Sequence, residues 1–138
     1  MVKHLYIHVP FCHRICPYCS FYKHTFGDIN QSELVESLLK ELCHRKNEYD
    51  LAIETVYLGG GTPSILDPQQ IKDLIDLFKE NYGVDYGAEI TMEVDPASFN
   101  QDDLYGFINA GINRFSLGVQ SFNNHILQNA GRRHLRED

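Results

Sequence analysis

The sequence has no long hydrophobic stretch. Its apolar runs last only a few residues, which is too short for a membrane-spanning helix. A basic excess is missing too: 12 lysines and arginines stand against 19 aspartates and glutamates, for a formal charge of -7. That balance argues against a generic binder of nucleic acid or of anionic membrane. The opening "MVKHLYIHVPF" contains no apolar h-region, so no signal peptide is expected and the expected compartment is the reducing cytoplasm. Neither common phosphate-binding loop occurs. No Gly-Lys-Ser/Thr follows the glycine run at 59–61, and the G-x-G-x-x-G spacing is absent. Cysteine is scarce, at 4 in 138 residues. In a reducing compartment such cysteines, where they cluster, are metal ligands more often than disulfides.

What is present is the material of one ordinary domain, with 43% hydrophobic residues. Four apolar runs, "LYIHV" (5–9), "ETVYL" (54–58), "EITMEV" (89–94) and "RFSLGV" (114–119), read as strands buried on both faces. Helical patterns separate them. The first follows Asn30 and Glu33 in capping-box spacing, with Leu34, Val35, Leu38, Leu39, Leu42 and Cys43 as its apolar stripe. Cys43 is accordingly expected in the core. The second opens at Asp67-Pro68 and turns Ile71, Leu74, Ile75 and Phe78 inward. The third starts near Asn100, runs through Leu104, Phe107 and Ile108, and stops at Gly111. A fourth carries Ile126 and Leu127 and ends at Gly131.

Strict β-α alternation predicts an α/β fold with a parallel sheet, either doubly wound or part of a (β/α) barrel. In both, ligands gather at the carboxyl ends of the strands. The chemically unusual segments fall there: the cysteines after the first strand, "GGGTPS" after the second, "EVDP" at the end of the third and "GVQS" at the end of the fourth. Four parallel strands with an exposed edge leave a barrel unclosed, so the chain is expected to be part of a longer one.

"HVPFCHRICPYCSFYK" (8–23) sets Cys12, Cys16 and Cys19 in a C-x3-C-x2-C run. Three soft thiolates suit an iron–sulfur cluster with one open iron, or zinc with His24 as a fourth ligand. The glycines of "LGGGTPS" let backbone approach a ligand closely, or merely make a tight turn. Glu93 and Asp95 share one face. Glu93 could accept from sugar hydroxyls or pair with Arg114 or Arg132. Gln120 and Ser121 could bond a ligand or cap the next helix.

Together, "YIHVPFCHRICPYCSFY", "VYLGGGTPS", "MEVDP", "LGVQSF" and "GRRH" resemble the radical S-adenosylmethionine (SAM) superfamily. Within it they resemble the branch of the oxygen-independent coproporphyrinogen III oxidases, which also holds the similar haem chaperones. The resemblance runs from about residue 4 to 134. It implies the N-terminal four βα units of a partial (β/α) radical SAM barrel, with residues 1–138 forming the N-terminal part of the core domain. It implies a [4Fe–4S] cluster on Cys12, Cys16 and Cys19, its open iron chelated by the methionine part of SAM. Tyr18 would lie near the adenine and Tyr6 would contact SAM. Gly60, Gly61 and Thr62 would meet the methionine end, Glu93 the ribose, and Gln120 and Arg132 would add polar contacts.

The implied chemistry is reductive cleavage of SAM to methionine and a 5′-deoxyadenosyl radical, which abstracts hydrogen from substrate. The implied partners are an electron donor and haem or coproporphyrinogen III, with membrane association only through haem-acceptor proteins and no nucleic acid. Two departures favour the haem chaperone over the oxidase. Phe21 stands where the oxidases usually carry a further cysteine, and Tyr6 lies close to the start where they tend to have an extension.

Overall fold

The computed structural model describes residues 2–25, 27, 30–48 and 51–138. Its elements follow in the order β1 (Val2–Val9), β2 (Phe11–Cys12), β3 (His24–Thr25), α1 (Gln31–Arg45), β4 (Leu51–Gly60), α2 (Pro68–Asn81), β5 (Glu89–Val94), α3 (Gln101–Ala110), β6 (Arg114–Leu117) and α4 (Asn124–Asn129). All four expected strands form and pair in parallel as one sheet, β1-β4-β5-β6. That order follows the chain without reversal. A doubly wound sheet reverses its order at a switch point and carries helices on both faces. Here the apolar residues of α1, α2 and α3 join a single core cluster with one face of the sheet, as in a stretch of (β/α) barrel.

Local signals account for the helices. Asp67 accepts from Gln69 N at 2.8 Å while Gln70 Oε1 accepts from Asp67 N at 3.0 Å, and Pro68 fills the first turn of α2. Asn100 and Asp103 cap α3 reciprocally, and Gly111, at φ 114°, ends it in the left-handed region. The expected box at α1 takes a simpler form, with Asn30 accepting from Ser32 N at 3.0 Å. Ile71, Leu74, Ile75 and Phe78 of α2 are wholly buried, each stabilising the fold by about 1.5–3 kcal/mol relative to exposure. They meet Ile90, Met92 and Val94 of β5 in the same cluster.

Two expectations about burial need correction. Cys43 is exposed, not core. The buried residues of α1 are Val35 and Leu42, with Leu34, Leu38 and Leu39 partly buried against them. Cys43 follows Leu42 directly and so is turned about 100° around the axis from it, beyond the buried stripe. Ile108 and Ile126 are likewise exposed, at 47% and 53%, while their neighbours Phe107 and Leu127 are buried.

The strands, too, bury mainly one face rather than two, Thr91 of β5 being buried on the other at 1% exposure. Ile7 and Val9 of β1 and Ile90, Met92 and Val94 of β5 are buried among the helices. Alternation turns Tyr6, His8, Tyr57, Glu93 and Ser116 to the opposite, polar face. Register places the carboxyl ends side by side: Val9 opposite Gly60, Leu58 opposite Met92, and Val94 opposite Leu117. The unusual loops therefore share one rim.

Candidate functional site

The cysteine loop leaves this rim from β1. Its two ends are tied by the short parallel ladder of β2 and β3, in which Phe11 pairs with His24 and Cys12 with Thr25. His24 N donates to Pro10 O at 2.6 Å, and Cys19 N donates to Cys16 O at 3.1 Å, forming a turn within the loop. Lys23 ties the loop from inside: its Nζ donates to the carbonyls of Cys19 at 2.7 Å and Phe21 at 2.9 Å. No signal in the sequence marks Lys23, because loop carbonyls become its partners only after the chain has curled back on itself.

The glycine loop is packed directly beneath. Gly61 N donates to Val9 O at 2.8 Å, and a Cβ on Gly61 would lie 2.5 Å from Phe11 O. Gly60 has φ 117°, and a Cβ there would lie 2.8 Å from the His8 ring. These glycines permit the close approach of β4 to the base of the cysteine loop. Thr62 Oγ1 then reaches Cys12 Sγ at 3.5 Å. Burial pushes the Cys12 thiol up, and the neighbouring cysteines add to that, while the Thr62 hydroxyl and Lys23 act the other way.

Glu93 stands at the end of β5, accepting from Tyr57 OH at 2.8 Å and from Gly60 N at 3.2 Å. It pairs with neither arginine considered from the sequence: Arg114 bonds Glu89 at 3.1 Å and Arg132 bonds Asp95 at 2.6 Å. Arg132, with its side chain 8% exposed, also donates to Gly118 O at 2.9 Å and lies 3.6 Å from Cys16 Sγ. Its Nε is buried without a partner among the described residues. Asp95 is held in turn. Its Oδ1 accepts from Ala97 N at 2.9 Å, its N donates to Ser64 Oγ at 3.1 Å, and its carbonyl accepts from Ser98 Oγ at 2.8 Å.

At the next strand end Gln120 has φ 64°, a left-handed conformation uncommon for any residue but glycine. His134 Nε2 contacts Val119 O at 3.0 Å beside it. Ser121 accepts from Asn123 N at 3.1 Å, whereas the cap of α4 is Asn123 itself, accepting from His125 N at 2.9 Å.

One cavity of about 340 Å³ gathers these groups. Cys12, Cys16, Cys19 and Tyr18 line it together with Gly60, Gly61, Thr62, Glu93, Gln120 and Arg132. Of the residues that the resemblance assigns to cluster or SAM, Tyr6 alone lies outside it. Tyr6 stacks on Tyr57 at 6.0 Å on the polar face of the sheet and its hydroxyl meets His8 Nδ1 at 3.0 Å, so its link to the cavity runs through Tyr57 to Glu93. His24, the alternative zinc ligand, does not line the cavity, and its Nε2 meets the Tyr22 hydroxyl at 2.9 Å. Among the described residues no three His, Cys, Asp or Glu side chains converge as a single-ion site. Three cysteine thiols lining one cavity are soft donors of the kind that suits an iron–sulfur cluster. All four cysteines are free of disulfides.

The profile of the radical SAM superfamily matches residues 6–138. This chain belongs to the radical SAM superfamily. Over 139 residues it is 39% identical to the haem chaperone HemW of Synechocystis, covering 96% of this chain and 34% of that protein. Over 124 residues it is 36% identical to the oxygen-independent coproporphyrinogen III oxidase of Salmonella typhimurium, covering 88% of this chain and 27% of that one. The solved structure of coproporphyrinogen III oxidase (HemN) from Escherichia coli superimposes with a TM-score of 0.88 at 33% identity, over 98% of this chain and 32% of HemN. The radical SAM chain thus spans about a third of the length of the curated relatives it matches. Its sheet is the partial barrel that the resemblance implied, one of the two arrangements the alternation allowed, and its sequence is similar to those of HemW and HemN. Among the described residues no helix is long and apolar enough to cross a membrane.

Proposed function

We propose that this chain is the [4Fe–4S]- and SAM-binding portion of a radical SAM protein of tetrapyrrole metabolism, comprising the first four βα units of a longer barrel. The observation that carries the reading is the convergence of three cysteines and seven other motif residues on one rim cavity. Cys12, Cys16 and Cys19 hold the cluster, and the open iron is left for the amine and carboxylate of SAM. When bound, cluster and SAM supply the one-electron chemistry of the family.

The chain's own residues bind and orient. Glu93, already fixed by Tyr57 and the Gly60 amide, has acceptor capacity left for the ribose hydroxyls. Gly60, Gly61 and Thr62 present backbone and hydroxyl to the methionine end. Arg132 lines the cavity and suits a carboxylate through a charge-assisted bond. Gln120 is presented to the cavity by its left-handed backbone. Tyr18 supplies an aromatic face for adenine, and Tyr6 acts at one remove through Tyr57.

Of the two activities in this branch, haem delivery by a chaperone is the reading we favour. Phe21 lines the cavity, 71% exposed, where the oxidases usually carry a further cysteine. Haem or coproporphyrinogen III would be met by the portion of the relatives' length that this chain does not span.

The test is anaerobic reconstitution with iron and sulfide, followed by EPR of the reduced protein with and without SAM. A [4Fe–4S] signal that changes on adding SAM is expected. Stoichiometric zinc with no cluster in a folded sample would overturn the reading. In a protein carrying the remaining barrel, haem titration should give binding, and conversion of coproporphyrinogen without haem binding would restore the oxidase.

A further inference from the structure

Arg132 is the one cation whose guanidinium touches a cysteine sulfur in the cavity, among the hydrogen bonds of the described residues. It reaches Cys16 Sγ through Nη1 at 3.6 Å, while Nη2 is clamped between Asp95 Oδ2 at 2.6 Å and Gly118 O at 2.9 Å. A guanidinium is planar, so fixing one end of the fork fixes the aim of the other. Asp95 is itself immobilised by Ala97 N and Ser64 Oγ, and Ser64 is buried at 3% exposure. A chain of hydrogen bonds therefore runs from the glycine-loop side of the rim, through the end of β5, to one cysteine.

We propose that Asp95 is a positioning residue: it aims Arg132 so that Nη1 donates an N–H···S bond to the Cys16 thiolate, and this bond raises the reduction potential of the cluster. The physical cause is charge. Reduction adds an electron to the cluster, and a donor and positive charge against a ligand sulfur stabilise the more negative state. The inference rests on the cluster reading above, but assigns to Asp95 and Arg132 a role separate from any contact with SAM.

The test is a redox titration of the reconstituted 138-residue chain, followed by EPR without SAM. It compares wild type, Asp95→Asn, Arg132→Gln and the double variant. Asn keeps an oxygen for Ala97 N but turns its amide donor toward Arg132, which has only donors to offer. Arg132→Gln should lower the midpoint potential.

Asp95→Asn separates two accounts. As a bare negative charge, Asp95 depresses the potential, and removing it raises the potential equally whether or not Arg132 is present. As a positioning residue, its loss also releases the N–H···S bond. The shift caused by Asp95→Asn should then be more negative with Arg132 present than in the Arg132→Gln background. The expected difference is about threefold or more in the reduction equilibrium.

Arg132→Lys guards against poor folding of the Gln variant, since it keeps the charge but loses the fork. A potential below wild type is expected for it. Additive shifts in the cycle, or a wild-type potential in Arg132→Lys, would overturn the inference while leaving the cluster in place. Failure of wild type itself to take up a cluster would instead overturn the underlying reading.

Discussion

The rim of this sheet has two halves that are held in different ways. The glycine loop and the ends of β5 and β6 are fixed by backbone contacts and short polar bonds: Gly61 against Phe11, Gly60 N on Glu93, and Arg132 between Asp95 and Gly118. The cysteine loop is tied mainly at its base by the β2–β3 ladder and by Lys23. Ile15, Tyr18 and Phe21 on it are exposed at 47%, 53% and 71%. The difference suggests a division of labour. On the proposed function, the half that would meet SAM is built by the fold, whereas the half that would hold iron would gain its remaining order from the metal.

Breaking the iron half should have the largest effect. Cys12→Ala leaves two cysteines in the loop, and the brown chromophore and iron content after anaerobic reconstitution should fall to near background. Retention of a full cluster would remove Cys12 from the ligand set. Because binding free energy of such a centre is partly folding free energy, the same variant should also lose the protection of the loop against limited proteolysis that the wild type gains on reconstitution.

The built half is probed by Gly61→Ala. Its Cβ would lie 2.5 Å from the carbonyl oxygen of Phe11 and 2.9 Å from Phe11 N. Backbone atoms cannot step aside as a flexible side chain can, so a loss of about 3 kcal/mol is expected, at the upper end of overpacking effects. Gly87→Ala is the control, since nothing lies within 4 Å of its added Cβ, and it should leave the urea midpoint almost unchanged. Equal losses at the two positions would mean that β4 and the cysteine loop are not in the close contact described.

Glu93→Gln sharpens the comparison at its boundary. The amide still has one oxygen for Tyr57 OH or Gly60 N, but it cannot serve both and a sugar as a charged acceptor. SAM affinity of the reconstituted chain, read from the EPR change on titration, should weaken by about 1.5–3 kcal/mol, the range of hydrogen bonds to charged groups. Cluster content should stay at the wild-type level. A variant that binds SAM normally would return Glu93 to a structural role between β4 and β5.

How far the sequence foretold these halves depends on the range of the forces involved. Caps and terminators act within a few residues, so Asp67, Asn100 and Gly111 are legible as helix ends from their neighbours in the chain alone. Alternation of strand and helix set the rim, and with it the company of the cysteines, "GGGTPS", "EVDP" and "GVQS". Long-range partners were less legible. Arg114 met Glu89 through the register of β6 on β5, and Arg132 came from the segment after α4 to Asp95 instead of Glu93. Gly61 reads as an ordinary turn until the packing of β4 on Phe11 shows what a side chain would strike. Tyr6 shares the polar face with Glu93 but stands off the cavity because register levels it with Tyr57 and Thr91, two residues short of Glu93, which a run of apolar letters did not disclose.

The smallest predicted effect tests the corrected cysteine. Cys43 shares its helix with Leu42, which is 5% exposed, yet lies on the exposed side itself. An exposed side chain of this size contributes little to stability, so Cys43→Ala should move the unfolding free energy by no more than about 0.5 kcal/mol. The iron content after reconstitution should equal that of the wild type, because Cys43 lies on α1 and does not line the cavity of the other three cysteines. A loss of about 2 kcal/mol or more, which is the range of a buried truncation, would restore the core assignment that helical periodicity suggested. A bleached chromophore with unchanged stability would make Cys43 a ligand, and the open position on the cluster would then have to be reconsidered. Measured together, iron content and unfolding midpoint tell these cases apart with a single variant.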